Sequence, residues 1–146
     1  MRIQLALNVR DLEEAVAYYS KLFGAEPHKR KPGYANFALD RPPLKLVLLE
    51  VPDATERLNH LGVEVSSAAE VDEAIARLSA AGIAGEIEVD RTCCFARQDK
   101  IWSSDPQGAR WEFYRVLADA ERFAEPVPTA LAPAEDAGTG AACGCG

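Results

Sequence analysis

The sequence has no hydrophobic run long enough to cross a bilayer, which takes about 20 consecutive apolar residues. Its opening segment, MRIQLALNVRDLEE, lacks the apolar core and the small-residue cleavage site of a secretory signal peptide. Basic residues are also few, with 16 Lys and Arg against 23 Asp and Glu and a formal net charge of −7. We therefore expect a cytoplasmic protein that acts on neither membranes nor nucleic acid, because phosphate binding requires a basic face.

Cysteine is scarce as well, with four residues in a chain of 146. The four form two close pairs, the adjacent Cys93 and Cys94 and the later Cys143-Gly-Cys145. Adjacent cysteines form a strained disulfide, and thiols stay reduced in the cytoplasm. We therefore interpret the pairs as sites of thiol chemistry rather than as a disulfide framework.

The chain contains one internal repeat. QLALNV from Gln4 and HLGVEV from His60 both alternate like strands, and these starting points are 56 residues apart. The same offset separates Asp11 from Ser67, each of which is predicted to cap a helix together with a glutamate three residues later. Because strand and cap agree on one offset, we predict two copies of one structural unit.

The later parts of the two copies match at a larger offset, 65 residues, since DRPPLKLVLLE (40–50) lies against DPQGARWEFYR (105–115). The second copy is therefore longer by about nine residues, which fall around RTCCFARQDK (91–100). We expect an inserted loop there that carries the cysteine pair and adds a function to the repeated scaffold. Each copy also has room for two more strands, which predicts two β-α-β-β-β modules, at about 1–51 and about 58–116.

The predicted domain covers residues 1–117. From 118 to 146 the composition shifts to Ala, Pro, Glu and Gly and the periodicity ends, which predicts a flexible tail that carries the second cysteine pair.

Two such modules, with DPQG before the last strand and Glu112 within it, resemble the vicinal oxygen chelate superfamily of glyoxalase I, bleomycin-resistance proteins and extradiol dioxygenases. The resemblance covers about residues 1–116. It implies an α+β fold in which the modules form a curved, barrel-like mixed sheet around a metal, with ligands on the first and last strand of each module. These positions hold Gln4, His60 and Glu112, whereas Val47 at the fourth position cannot bind a metal.

The chain resembles the carbon–arsenic lyase family, which includes cadmium-induced proteins, more closely than the rest of the superfamily. Four segments carry this resemblance, namely KPGYANFAL, PPLKLVLLE, HLGVEV and TCCFARQDKIW. This resemblance implies a non-haem Fe(II) enzyme that uses O2 to cleave the carbon–arsenic bond of methylarsenite or aromatic As(III) compounds, releasing inorganic As(III). It assigns Fe(II) to Gln4, His60 and Glu112, a set that Ni, Co or Mn could also occupy. It assigns the arsenic of the substrate to Cys93 and Cys94.

Four further residues are candidate loop or substrate contacts, namely Lys100, Gln98, Phe95 and Tyr34. Cys143 and Cys145 either relay arsenic or are incidental to the tail.

Other interpretations stay open. The cysteine pair could be two small buried apolar side chains, His60 a core histidine, Glu112 an outward-facing glutamate and Gln4 an ordinary strand residue. For the whole protein, one alternative is thiol-based sequestration of Cd(II) or As(III) without turnover, which needs the cysteines but not the metal ligands. Another is a different metal-dependent dioxygenase of the same superfamily, which needs the ligands but not the cysteines. Monomer and homodimer are both compatible with the sequence.

Overall fold

The computed structural model describes residues 1–121 and residue 123. Within this part, the elements repeat one order twice. The first module comprises β1 (Arg2–Val9), α1 (Leu12–Phe23), β2 (Lys29–Lys31), β3 (Tyr34–Asp40) and β4 (Pro43–Glu50). The second comprises β5 (Leu58–Glu64), α2 (Ala68–Ala80), β6 (Ile87–Cys93), β7 (Ala96–Ser104) and β8 (Arg110–Asp119).

Both helices begin at the predicted caps. The side chain of Asp11 accepts a hydrogen bond from the backbone N–H three residues on, at 2.9 Å, and Gly24 ends α1 in the left-handed region with φ of 62°. Ser67 caps α2, and its capping box with Glu70 is complete in both directions. Each helix therefore starts at an equivalent point of its module, as the repeat predicted.

The eight strands form one sheet in the order β2-β3-β4-β1-β5-β8-β7-β6. The pairs β1–β4 and β5–β8 are parallel, and β1 and β5 pair antiparallel at the centre. The strand order in the second module mirrors that in the first, and the sheet curls into a half-barrel with one concave face. The predicted curved, mixed sheet of two modules is therefore confirmed.

The helices cover the convex side of the sheet. Apolar residues of α1 pack on the first module, and those of α2 pack on the second, against Ile101 and Phe113. Phe37 belongs to the core beneath α1. Neither helix is long and apolar enough to span a membrane. The concave face is consequently left for polar side chains.

The extra residues of the second module lengthen a hairpin, and the expectation of an inserted loop was wrong. Cys93 is the last residue of β6 and pairs with Ala96 of β7, which leaves only Cys94 and Phe95 in the turn. Both turn residues have positive φ, 54° and 60°. This pattern is typical of the type I′ turns that connect two-residue hairpins, because their twist matches that of the strands. The cysteine pair is thus held by a sheet rather than by a loop.

Candidate metal and thiol site

Gln4, His60 and Glu112 converge on the concave face, where β1, β5 and β8 run side by side. Gln4 Nε2 lies 2.7 Å from Glu112 Oε1 and 3.0 Å from His60 Nε2. His60 Nε2 lies 3.3 Å from Glu112 Oε1. All three side chains are almost completely buried. The repeat register therefore places the three candidate ligands on one face and in mutual contact.

Gly62 makes room for this cluster. It lies two residues after His60, on the same face of β5, and pairs with Gln4 on one side and Glu112 on the other. A Cβ atom at this position would lie 3.1 Å from Glu112 Cγ and 3.3 Å from Gln4 Cβ. A side chain at this position would require Glu112 and Gln4 to shift by a few tenths of an ångström, so the glycine permits the close approach of these two candidate ligands.

Glu112 is held as a buried carboxylate by two neighbours. Burial raises the pKa of Glu112, but the charge of Lys100 and the contact with His60 outweigh this effect and lower the pKa to about 2. Lys100 Nζ lies 2.8 Å from Glu112 Oε2, and its side chain is fully buried. Lys100, expected as a loop or substrate contact, therefore lies beneath the candidate ligands, with Oε1 of Glu112 directed at the other two.

A chain of hydrogen bonds behind His60 fixes its tautomer. Nδ1 of His60 lies 2.6 Å from Asn59 Oδ1, and an amide oxygen only accepts, so Nδ1 carries the proton. Asn59 Nδ2 donates to Asn8 Oδ1 at 2.9 Å, and Asn8 Nδ2 donates to the carbonyl oxygen of Glu56 at 3.0 Å. The lone pair of Nε2 is consequently directed at the cluster, which is the arrangement found for metal-binding histidines. The Trp102 ring packs edge-on against the His60 imidazole, with 5.3 Å between the ring centroids.

The cluster fits a divalent transition metal. Donor atoms about 2.1 Å from one ion and at right angles to each other are about 3 Å apart, close to the three separations in this cluster. One imidazole, one carboxylate and one amide carbonyl are donors that suit non-haem Fe(II) and leave positions open. Gln4 donates from its NH2 group in this structure, so metal binding requires a half-turn of its amide. The Tyr114 hydroxyl, 2.5 Å from Gln4 Oε1, can donate or accept and so satisfies both orientations.

In the part of the chain that the structure describes, no three His, Cys, Asp or Glu side chains are placed to hold a metal ion. A site at this position therefore depends on the amide of Gln4 as its third ligand.

A cavity of about 180 Å³ connects the cluster with the cysteine turn. Gln4, His60, Glu112 and Cys94 all line it. Cys93 is fully buried beside it, and its Sγ atom lies 3.3 Å from that of Cys94. If one atom were bonded to both sulfurs at about 2.3 Å, a typical metal–thiolate length, the angle between its two bonds would be about 90°. Such an angle suits pyramidal As(III).

The remaining candidates lie around this cavity or outside the described residues. Gln98 is buried in its wall and donates from Nε2 to the carbonyl oxygen of Cys93 at 3.2 Å. Tyr34 also lines the cavity. The Phe95 ring packs edge-on against the Tyr34 ring, with 5.3 Å between the ring centroids. Cys143 and Cys145 lie outside the described residues.

Sequence reasoning missed two contributors to the site, Gly62 and Asn59, and it gave Tyr114 no role although strand alternation puts Tyr114 on the same face as Glu112. A glycine inside a strand was the signal for Gly62. Nothing in the sequence singled out Asn59.

Comparison with known proteins agrees with this architecture. The Glyoxalase/Bleomycin resistance protein/Dioxygenase superfamily matches residues 3–113. Cadmium-induced protein CadI of Mycobacterium tuberculosis is 63% identical over 122 residues, which cover 84% of this chain and 80% of that protein. A trivalent organoarsenical cleaving enzyme of Thermomonospora curvata is 51% identical over 146 residues, 98% of this chain and 96% of that protein.

Among solved structures, the Mn(II)-bound glyoxalase of Novosphingobium aromaticivorans superimposes with a TM-score of 0.61 at 20% identity, over 88% of this chain and 42% of that chain. This likeness concerns the fold alone. The family match and the relatives together identify the chain as a member of the glyoxalase, bleomycin resistance and dioxygenase (vicinal oxygen chelate) superfamily, in the group that includes CadI and the trivalent organoarsenical cleaving enzymes.

Proposed function

We propose that this protein is an Fe(II)- and O2-dependent enzyme that cleaves the carbon–arsenic bond of trivalent organoarsenicals and releases inorganic As(III). The observation that carries the proposal is the single cavity that joins three candidate metal ligands to a cysteine turn. Two relatives named trivalent organoarsenical cleaving enzyme, 51% and 42% identical, support it. The activity would detoxify organoarsenicals, and the protein would act in the cytoplasm on a small molecule.

Cys93 and Cys94 bind the substrate when both are thiols. Each As–OH group of R–As(OH)2 is exchanged for an As–S bond, and each exchange releases one water molecule. Trivalent arsenic is a soft acceptor that prefers thiolate sulfur, and two sulfurs on one rigid turn chelate it without further ordering. Because Cys94 lines the cavity, the organic group R extends from the arsenic toward Gln4, His60 and Glu112.

The three candidate ligands hold Fe(II), which supplies O2 activation for the oxidative cleavage when it is bound. Asn59 keeps the lone pair of His60 Nε2 available, and Lys100 keeps Glu112 ionised. The Tyr34 ring lines the cavity beside the cysteine turn, and the Phe95 ring packs against the Tyr34 ring. The protein's contribution is thus to place the carbon–arsenic bond beside the metal.

The first experiment incubates reduced, Fe(II)-loaded protein with methylarsenite without oxygen, then admits air and follows inorganic As(III) by chromatography with arsenic detection. We expect release that requires Fe(II) and O2. Glu112→Ala, Cys93→Ser and Cys94→Ser should each lower the rate of As(III) release by more than about 100-fold. This exceeds the 10- to 100-fold loss that is typical when a residue hydrogen-bonded to a metal ligand is removed. Glu86→Ala, an exposed glutamate of the same module, is the matched control and should retain activity.

The same variants separate the competing functions. Sequestration of Cd(II) or As(III) by thiols has one observation in its favour, the 63% identity to cadmium-induced protein CadI. Stoichiometric binding without release, unchanged in Glu112→Ala and lost in the cysteine variants, would replace the proposed function with sequestration. Fe(II)-dependent oxygen consumption with a catechol, unaffected by Cys93→Ser and Cys94→Ser, would indicate another dioxygenase of the superfamily instead.

A further inference from the structure

Three polar groups of the cavity wall have no role in the function proposed above. On β3, the Tyr34 hydroxyl accepts a hydrogen bond from Asn36 Nδ2 at 2.8 Å. Within residues 1–121 and 123, its own proton has no acceptor. Burial raises the pKa of Tyr34 to about 12, so this hydroxyl stays a hydrogen-bond donor at neutral pH.

Two amide oxygens of the same cavity have no donor among the described residues. Asn36 Oδ1 and Gln98 Oε1 are both buried and make no hydrogen bond, although the NH2 group of each amide is used. Both side chains are more than nine-tenths buried, and both line the cavity. Buried amide oxygens are nearly always hydrogen-bonded in folded proteins, so two exceptions in one cavity wall call for a partner from outside the chain.

The cavity has room for one six-membered ring. Its volume of about 180 Å³ exceeds the roughly 150 Å³ of an engineered apolar cavity that binds benzene. A methyl group on arsenic would leave most of this space to water. An aryl group anchored through arsenic on Cys94 would fill it and bring ring substituents to the wall that carries Tyr34, Asn36 and Gln98.

We propose that Asn36 and Gln98, with Tyr34, form a subsite that selects aryl arsenicals carrying a hydrogen-bond donor on the ring, namely a hydroxyl or an amino group. The proposal rests on the proposed function, because the cysteine turn has to anchor the arsenic. A ring hydroxyl donates to an amide oxygen and accepts from the Tyr34 hydroxyl, so it meets both kinds of group in the wall. An unsubstituted phenyl group leaves the buried acceptors without a donor, which a site built for hydrogen bonding penalises.

The test is equilibrium dialysis of the full-length, reduced, metal-free protein without oxygen, with bound arsenic measured directly. The ligands are phenylarsenite, 3- and 4-hydroxyphenylarsenite, and 4-methoxyphenylarsenite, which accepts but cannot donate. We expect the better hydroxyphenyl isomer to bind about five- to tenfold more tightly than phenylarsenite, the effect of one or two neutral hydrogen bonds. The methoxy compound should show no such gain.

Near-isosteric variants assign the effect to residues. Gln98→Met and Asn36→Leu should each reduce the hydroxyl preference, and together they should abolish it. Gln107→Met makes the same change in an exposed turn and should leave the preference intact. Binding of phenylarsenite by each variant reports that the cavity still folds, and a variant that fails this check is replaced by Tyr34→Phe, which removes one hydroxyl without changing the ring.

The outcomes distinguish this proposal from the one on which it rests. Equal affinity for all aryl arsenicals, with binding that still depends on Cys93 and Cys94, would overturn the subsite and leave carbon–arsenic cleavage intact. A hydroxyl preference that survives the double variant would also overturn it. Failure of every arsenical to bind through the cysteines would overturn both.

Discussion

At the scale of single residues, Gly62 shapes the cluster of candidate metal ligands through the absence of a side chain. Gly62→Ala would place a Cβ 3.1 Å from Glu112 Cγ, closer than most van der Waals contacts. Overpacking of this kind costs about 1–3 kcal/mol, so displacement of Glu112 and Gln4 should lower the affinity for Co(II) about tenfold or more. The measurement is a spectrophotometric Co(II) titration, with thermal unfolding of the metal-free variant as the control for folding. Unchanged Co(II) affinity would mean that these side chains are not the ligands.

Single residues also show where sequence reasoning succeeds. Strand alternation in WEFYR puts Glu112 and Tyr114 on one face of β8, and both side chains contact Gln4. Lys100 was not predicted as the partner of Glu112. In β7 the inward side chains Gln98 and Lys100 are polar, because they face the polar concave side, so hydrophobic periodicity carries no signal for their burial.

At the scale of elements, a hydrogen-bond chain through Asn59 connects β5, β1 and the segment before β5 behind His60. Asn59→Leu removes the acceptor that fixes the protonated nitrogen of the imidazole. We expect a 10- to 100-fold loss of Co(II) affinity, the usual cost of such a loss, with little change in the melting temperature of the metal-free protein. Asn59→Asp keeps an acceptor oxygen and should restore most of the affinity. Equal losses in both variants would contradict a positioning role.

The cysteine hairpin shows how the position of the extra residues can be predicted while their local structure is not. Repeat alignment located the extra residues, and cysteine chemistry marked them as functional. The turn itself was not predictable, because Cys94 and Phe95 lack the Asn-Gly or Asp-Gly signature of a type I′ turn. Positive φ is uncommon for such residues, and it persists only where the surroundings impose it. Here the packing of Phe95 on Tyr34 and the pairing of Cys93 with Ala96 impose it.

At the scale of the whole molecule, the two ends of the half-barrel meet over the cavity. Lys29 Nζ, on the edge strand β2, donates to the carbonyl oxygen of Phe95 at 3.0 Å and also pairs with Asp119. Lys29→Met should open this contact and speed the release of bound phenylarsenite about fivefold, as for the loss of about 1 kcal/mol. The measurement is the dissociation rate after addition of an excess dithiol. Lys31→Met, whose partner Glu121 is exposed, is the control, and equal rates in the two variants would contradict closure at Lys29.

The overall architecture was the most predictable level, because the repeat offset fixed which strands are equivalent and therefore which positions share the concave face. Gln4 and His60, which the repeat offset made equivalent, lie on the two central strands, β1 and β5. Val47 lies in the cavity wall, and its side chain has no atom that can bind a metal. Closure between Lys29 and Phe95 could not be predicted, since it joins residues 66 positions apart at the two ends of the sheet.

The polar cluster beneath the cavity does not need an ion to hold it together. Lys100 supplies a cation to Glu112, Gln4 bridges Glu112 and His60, and Asn59 restrains the imidazole. Under the proposed function, a newly synthesised chain would therefore complete its fold before a metal ion reaches it. Metal loading would then be a separate, later event, in which the cell's supply of divalent metals, rather than folding, decides the occupant.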